Sequence, residues 1–406
     1  MVRKQTLGRE NCAAERVLCS SSAAVLRGSA TLSPALAACW ELMPEAGITR
    51  VADITGLDEI GLCVTSVVRP NSWALTVSSG KGSTISQACI SGLMEGLEIF
   101  HAEQFADWIP FGELPRDCVV PDLSDLPHID DKEAPKAAKP WLRMATGLEL
   151  ISGETAAVPF GLVHTDFRSE TLQKNDGFVV CSNGLGGGSC YKDAATHALC
   201  EVIEGDAIAL FKASQPGSFG RVDWRTIEDD ESQNQYARCR SLGIAVTAWD
   251  ITTEIGVPCY YCRLVERERG PVGIPVATDG AGCHPLPAIA LRRALFEAIQ
   301  TRVLLISGAR DDLRPRHYSA KAPNDAGTAE IRLRDSECSD RTTSGLLNWL
   351  VSRLVVAGFR QAIVVDLKSR SSHLSFVRVV VPGLETYPHA VGYTKGRRAK
   401  AAKLSQ

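Results

Sequence analysis

Apolar and polar positions along the chain alternate or cluster in short runs at 64–68, 244–248 and 363–365, which predicts strands there. A further β-like run lies within 256–265. Between these runs are longer stretches whose apolar side chains recur at helical spacing, so the pattern is that of a mixed α/β fold. Three stretches share one layout: a β-like run, a glycine-containing turn, then a helix with acidic or amide side chains three positions apart. The first runs over 74–82 into a helix carrying Glu95 and Glu98. The second runs over 178–184 into a helix with Glu201 and Glu204, and the third over 280–285 into a helix with Glu297 and Gln300.

Anchoring the three helices on Glu95, Glu201 and Glu297 sharpens the match. Seven residues upstream stand Ala88, Ala194 and Ala290; three upstream stand the small residues Gly92, Ala198 and Ala294. Two upstream stand Leu93, Leu199 and Leu295, and two downstream the aliphatic Leu97, Ile203 and Ile299. Any amphipathic helix carries such stripes, but a polar pair recurring at the same place in each is more specific.

Residues three apart share a helix face, and two carboxylates there repel unless solvent or a cation separates them. A solvated face is the ordinary explanation of a single pair. Here Met94, Leu97, Ile99 and Phe100 surround the first pair, and Leu199, Val202 and Ile203 the second. Carboxylates in such company are costly to bury without a metal or a cationic partner. Two facing pairs would make an oxygen-rich site suited to Mg²⁺, which characteristically bridges carboxylates and nucleotide phosphates. The segment Ser78, Ser79, Gly80, Lys81 and Gly82 reads as an anion-binding turn, although it lacks Walker A spacing.

The 406 residues allow a large core, and a net charge of −3 gives no electrostatic case for nucleic acid as the main partner. No apolar run reaches membrane-spanning length, and Arg9, Glu10, Glu15 and Arg16 interrupt any signal-like stretch, so a cytoplasmic location without membrane contact is expected. Fourteen cysteines then read mostly as reduced, buried small hydrophobes. Cys259 and Cys262 would point to opposite faces of a strand, which argues against zinc.

Ser79, Gly80, Lys81 and Gly82 followed by Glu95 and Glu98 resemble the YcaO domain family, whose members use ATP to convert peptide amides into azolines, thioamides or related groups. The resemblance spans nearly the whole chain. It includes Ser182, Asn183 and Gly184, then Glu201, Glu204, Asp206 and Ala207, then Gly282, Cys283, His284 and Pro285, and it continues to Glu385. The stretch 47–56, together with Arg69, Pro70 and Asn71, is similar to the branch that works with a TfuA-type partner protein and is linked chiefly to thioamide formation. The missing proline-rich ending also favours that branch over azoline-forming cyclodehydratases. The resemblance implies a YcaO-like fold, with three strand–loop–helix repeats around a central nucleotide site. Residues 61–390 would form one unit, preceded by an N-terminal region (1–60) and followed by a basic flexible tail (391–406). Surface excursions are expected at 122–139 and 314–327.

The cofactors implied are ATP and Mg²⁺. Lys81, Ser91, Asn183, Ser189, Arg293, Arg302 and Arg310 would contact the nucleotide, with a structural salt bridge as the competing role for Arg302 and Arg310. Glu95, Glu98, Asp193, Glu201 and Glu204 would hold magnesium. The chain departs from the family pattern at four places: Asp193 stands where Glu is usual, Ser189 for Asn, Gly205 for Arg, and Thr31 for Arg. The implied activity is ATP-dependent modification of a peptide or protein by a homodimer with a TfuA-like partner, most directly thioamide formation. A degenerate nucleotide- or peptide-binding scaffold and an azoline-forming enzyme are alternatives. A metal-dependent amide hydrolase fits less well, because no His-rich site stands out.

Overall fold

The computed structural model describes residues 33–129, 138–172, 177–215, 217–266, 277–313, 318, 329–369, 371, 373–388, 390 and 392–404. Thr31 and nearly all of 314–327 lie outside them. Helix α1 (Pro34–Ala46) starts at Ser33, whose hydroxyl accepts from the Leu36 amide, and ends at Gly47 with φ 68°. Strands β1 (Arg50–Asp53), β2 (Cys63–Val68) and β3 (Val77–Gly82) form an antiparallel sheet in that order. Helix α2 (Ile85–Gln104) follows, its start fixed by a reciprocal capping box between Thr84 and Gln87.

Strands β4 (Ile109–Pro110), β5 (Arg143–Glu149) and β6 (Thr155–Pro159), the short α3 (Ser169–Leu172), β7 (Leu185–Gly188) and α4 (Tyr191–Ala213) come next. They are followed by β8 (Arg221–Val222), α5 (Asp230–Ser241), β9 (Ile244–Asp250), β10 (Cys259–Glu266), β11 (Ala277–Cys283) and α6 (Pro287–Ser307). The last elements are β12 (Glu330–Ile331), α7 (Thr343–Val356), β13 (Ile363–Asp366), β14 (Ser375–Val380) and α8 (Arg397–Leu404). One sheet has the order β4-β5-β13-β14-β7 with β6 paired to β5; another has the order β11-β10-β9-β8-β12. The runs expected at 64–68, 244–248 and 363–365 are strands within two residues of those bounds, and the run within 256–265 is β10. Cys259 packs in the core beneath α4 and Cys262 in the core around α6, on opposite faces of β10 as their spacing requires.

The repeats are real but built differently from the sequence expectation. The segment 78–82, read as a turn, is strand β3 itself. In the second repeat the strand is Leu185–Gly188, and the apolar run 178–184 is a loop with only a bridge from Phe178 to His128. Glycine decides both. A Cβ on Gly80 would stand 1.9 Å from the Ala88 carbonyl oxygen, one on Gly186 2.4 Å from that of Ala194, and one on Gly282 2.2 Å from that of Ala290. All three glycines precede their anchor glutamates by fifteen residues. The strand glycines and the helix alanines thus meet backbone to backbone, and the alanine stripe is there to let them.

The basic C-terminal run, read as a flexible tail, is seated in the structure. Ala399 of α8 is 0% exposed, and Arg398 makes a bidentate ion pair with the fully buried Asp206 of α4, at 2.8 Å to each oxygen. Glu385 accepts from the amides of Gly396 and Ala399, both at 2.9 Å.

Gly186→Ala is expected to lower stability by about 2 kcal/mol or more through overpacking. Gly56→Ala, where nothing stands within 4 Å of the added carbon, serves as the control and is expected to be near neutral. Urea-denaturation midpoints check both.

Candidate active site

Helices α2, α4 and α6 bring Glu95, Glu98, Glu201, Glu204 and Glu297 to one centre between the sheets. Glu98 is buried and the other four are half-buried. Few donors meet them. The Ser79 amide reaches Glu95 at 3.3 Å, and the Gly187 amide reaches Glu98 at 2.7 Å. Tyr387 OH donates to Glu204 at 3.1 Å, and Lys81 Nζ pairs with Glu297 at 3.0 Å. Gln300 donates to Ser79 Oγ at 2.8 Å, tying the third repeat to the first. Glu201 receives no hydrogen bond from the described residues.

The shortage of donors sets the electrostatics. Burial, with the neighbouring Glu95, pushes the Glu98 carboxyl up to about 8 against the help of the Gly187 amide. Burial, then Glu98 and Glu204, hold Glu201 well above the usual carboxylate range, with Arg378 opposing. Glu204 rises to about 7 through burial and Glu297, although Arg293, Lys81 and Tyr387 pull the other way. Glu95 is raised by burial against Arg310, the Ser79 amide and Lys81. His197 is pushed down to about 3 by burial and by the charges of Arg293 and Lys81, so it is neutral beside Glu98, 3.8 Å away. Glu95, Glu98, Glu201 and Glu204 are all raised, each with a neighbouring carboxylate adding to the effect of burial.

Several predicted residues fall in this centre. Lys81 bridges to Glu297, Ser91 lies on α2 one turn before Glu95, and Arg310 acts on Glu95 while pairing with Asp312 at 2.8 Å. Arg293 donates to the Cys283 carbonyl at 3.2 Å and faces Glu204 through its charge. Asn183 is buried, with its amide nitrogen on Thr386 at 3.2 Å and its oxygen unpartnered. A Cβ at Gly205 would stand 2.9 Å from that carboxamide, so Asn183 occupies the space a longer side chain at 205 would enter.

Other predicted residues are engaged elsewhere. Arg302 is 5% exposed and committed to Asp58 at 3.1 Å and Glu266 at 3.0 Å, the structural salt bridge foreseen as its competing role. Asp193 accepts from the amide and hydroxyl of Ser189, at 3.0 and 3.1 Å, so both residues close the N-terminal turn of their own helix. His197 was missed, although it precedes Glu201 by one helical turn and so shares its face. Tyr387 and Arg378 come from the C-terminal part of the chain and had no local signal.

Among the described residues no three His, Cys, Asp or Glu side chains form a ready-made metal cluster. Mg²⁺ does not need one. It takes one or two carboxylates and completes its shell with water and phosphate oxygens, and a spread of under-donated carboxylates flanked by Lys81 and Arg293 suits that division.

These features define an α/β enzyme-like fold with a threefold carboxylate centre. The profile of the YcaO family, described as YcaO cyclodehydratase, ATP- and Mg²⁺-binding, matches residues 79–385. The chain is 31% identical over 359 residues to an uncharacterized protein in the tfuA 3′ region of Rhizobium leguminosarum bv. trifolii, covering 84% of each. It is 31% identical over 383 residues to an uncharacterized protein of Methanothermobacter thermautotrophicus, covering 89% of this chain and 96% of that one. The fold matches YcaO from Methanopyrus kandleri bound with AMPPCP and Mg²⁺, with a TM-score of 0.65 at 22% identity over 85% and 88% of the two chains. It also matches a chain of the E. coli microcin synthetase McbBCD complex with pro-MccB17 bound, with a TM-score of 0.63 at 15% identity over 87% and 94%. The chain belongs to the YcaO family, whose cofactors are ATP and Mg²⁺. No helix among the described residues is long and apolar enough to cross a membrane.

A carboxyl raised on folding binds its proton more tightly in the folded chain, so its contribution to stability falls as pH rises through the folded value. For Glu204 and Glu98 that loss begins above the ordinary carboxylate value of 4.5 and is complete above the folded values of about 7 and about 8. In chelator, the melting temperature is expected to fall from about pH 5 to about pH 8 and to level off above it. Glu98→Gln is expected to flatten the fall, and Mg²⁺ with ATP to reverse it. Thermal melts over that interval check all three.

Proposed function

We propose that the chain activates a backbone amide of a peptide substrate with ATP and Mg²⁺, and that with a TfuA-type partner the product is a thioamide. The observation that carries the reading is the convergence of carboxylates from three repeat helices on Lys81 and Arg293 with too few donors to neutralise them. An amide carbon resists nucleophiles because resonance feeds electron density to its oxygen, so that oxygen must first become a leaving group. Bound ATP with Mg²⁺ supplies the phosphoryl group for that oxygen and the positive charge that offsets it. Lys81 and Arg293 would orient phosphate oxygens from one side. Glu95, Glu98, Glu201 and Glu204 would fix the metal from the other, and Tyr387 would hold Glu204 in place. The location of the Rhizobium relative in a tfuA region supports the thioamide outcome over azoline formation.

A non-catalytic scaffold is the second reading. Asp193 spends its carboxylate on its own helix end, and Gly205 offers no side chain to a phosphate.

Glu201→Gln at the native locus, followed by mass spectrometry of the host's peptides and proteins, tests these readings. Loss of a sulfur-for-oxygen exchange in the variant is the expected result. Loss of a dehydrated product instead would assign azoline chemistry. An unchanged set of products, with nucleotide binding intact in the wild-type chain, would favour the scaffold.

A further inference from the structure

Beside the carboxylate centre is a narrow cavity of ≈ 30 Å³, lined by Cys181, Asn183, Arg378, Thr386 and Glu385 among apolar neighbours, the Glu385 carboxylate being taken up by Tyr393 and the amides of Gly396 and Ala399. Arg378 is 3% exposed, yet among the described residues its Nε and Nη1 have no hydrogen-bond partner, and its Nη2 meets only the Cys181 thiol at 3.9 Å. Asn183 is 7% exposed, and its Oδ1 is likewise unpartnered among the described residues. Thr386 Oγ1 is already used, by Asn183 Nδ2 at 3.2 Å and Cys181 Sγ at 3.3 Å. A buried guanidinium with two idle nitrogens is among the most expensive groups to leave unmet. A buried acceptor facing the same space adds a requirement for a donor.

We propose that this cavity binds hydrosulfide, the small sulfur anion that the thioamide reaction consumes. The assignment rests on the functional reading above and names where its nucleophile waits. The space admits one or two water-sized species and excludes a nucleotide or peptide. Hydrosulfide carries one S–H donor for Asn183 Oδ1 and an anionic sulfur that accepts from Arg378 Nε and Nη1. A halide satisfies only the guanidinium. Water meets both partners but brings no negative charge to the guanidinium, which lies among Val202, Val379, Val380 and Leu384. Arg378 lines the cavity and its charge acts on Glu201, so sulfur held here is next to the carboxylate centre.

The step balances without a further reactant. The sulfur of hydrosulfide forms a bond to the amide carbon, and the amide oxygen takes the γ-phosphoryl group of ATP. The C–O bond then breaks, releasing phosphate that carries the former S–H proton. Amide, hydrosulfide and ATP become thioamide, ADP and hydrogen phosphate.

Bromide is close to hydrosulfide in size and charge, and it does not react with thiol reagents. In the full chain, labelling of Cys181 by methyl methanethiosulfonate is followed by site-resolved mass spectrometry, with the exposed Cys190 as internal control. Sodium bromide, against gluconate at equal ionic strength, is expected to slow Cys181 labelling about fivefold or more, leave Cys190 unchanged, and give no protection in a folded Arg378→Lys or Arg378→Met chain. No protection in the wild-type chain overturns the proposal. In reactions supplied with sodium hydrosulfide, Arg378→Lys is expected to raise KM for hydrosulfide about tenfold with KM for ATP unchanged. An equal rise in KM for ATP would assign Arg378 to the nucleotide and also overturn it. Bromide protection without any sulfur-containing product would retain the anion site and refute the thioamide reading instead.

Discussion

The backbone-to-backbone contact between strand glycines and helix alanines fixes everything else in this protein. With Gly80, Gly186 and Gly282 facing Ala88, Ala194 and Ala290, each repeat helix lies on its strand closer than any Cβ would permit. That contact sets both the height and the rotation of α2, α4 and α6. One helical face is committed to the strand, and the face bearing Glu95, Glu201 and Glu297 is turned inward. Three copies of the same contact therefore aim three glutamates at one centre, and the second members of the first two pairs, Glu98 and Glu204, follow one turn later.

The centre so formed is electrostatically unfinished. Its structural donors are a few backbone amides, one tyrosine and one lysine, set against five carboxylates. The chain instead reinforces the surroundings. Arg398 of α8 clamps Asp206, two residues beyond Glu204. Asp206 also accepts from the Glu385 amide at 3.0 Å, and Glu385 leads into Thr386 and Tyr387. The C-terminal helix thus holds both the tyrosine that reaches Glu204 and the threonine beside Arg378. Rigid walls around under-donated carboxylates are what a site needs if cations and phosphates arrive as ligands.

The three repeats and their acidic pairs were legible in the sequence because both depend on local spacing. The alanine stripe was visible too, but its purpose was not, since the opposing glycines belong to another element and looked like a phosphate turn. The strand 185–188 is glycine at three of its four positions and so carries almost no side-chain pattern, and an element defined by its pairing to β14 escaped a reading based on hydrophobicity. Arg302 read as a candidate ligand or ion pair until Asp58 and Glu266, distant in sequence, met it. Asp193 and Ser189 looked like site residues by position, while their mutual bonds make them a helix end. Tyr387, Arg378 and the seated C-terminus are tertiary features, and only the assembled chain shows them.

Titration calorimetry of the purified chain with ATP, in the presence and absence of Mg²⁺, tests the claim that the three helices form a magnesium–nucleotide site. The account predicts micromolar binding that requires Mg²⁺ and is abolished by Glu95→Ala and by Glu201→Ala, one from each of two repeats. Binding that survives both substitutions, or that ignores Mg²⁺, would contradict it.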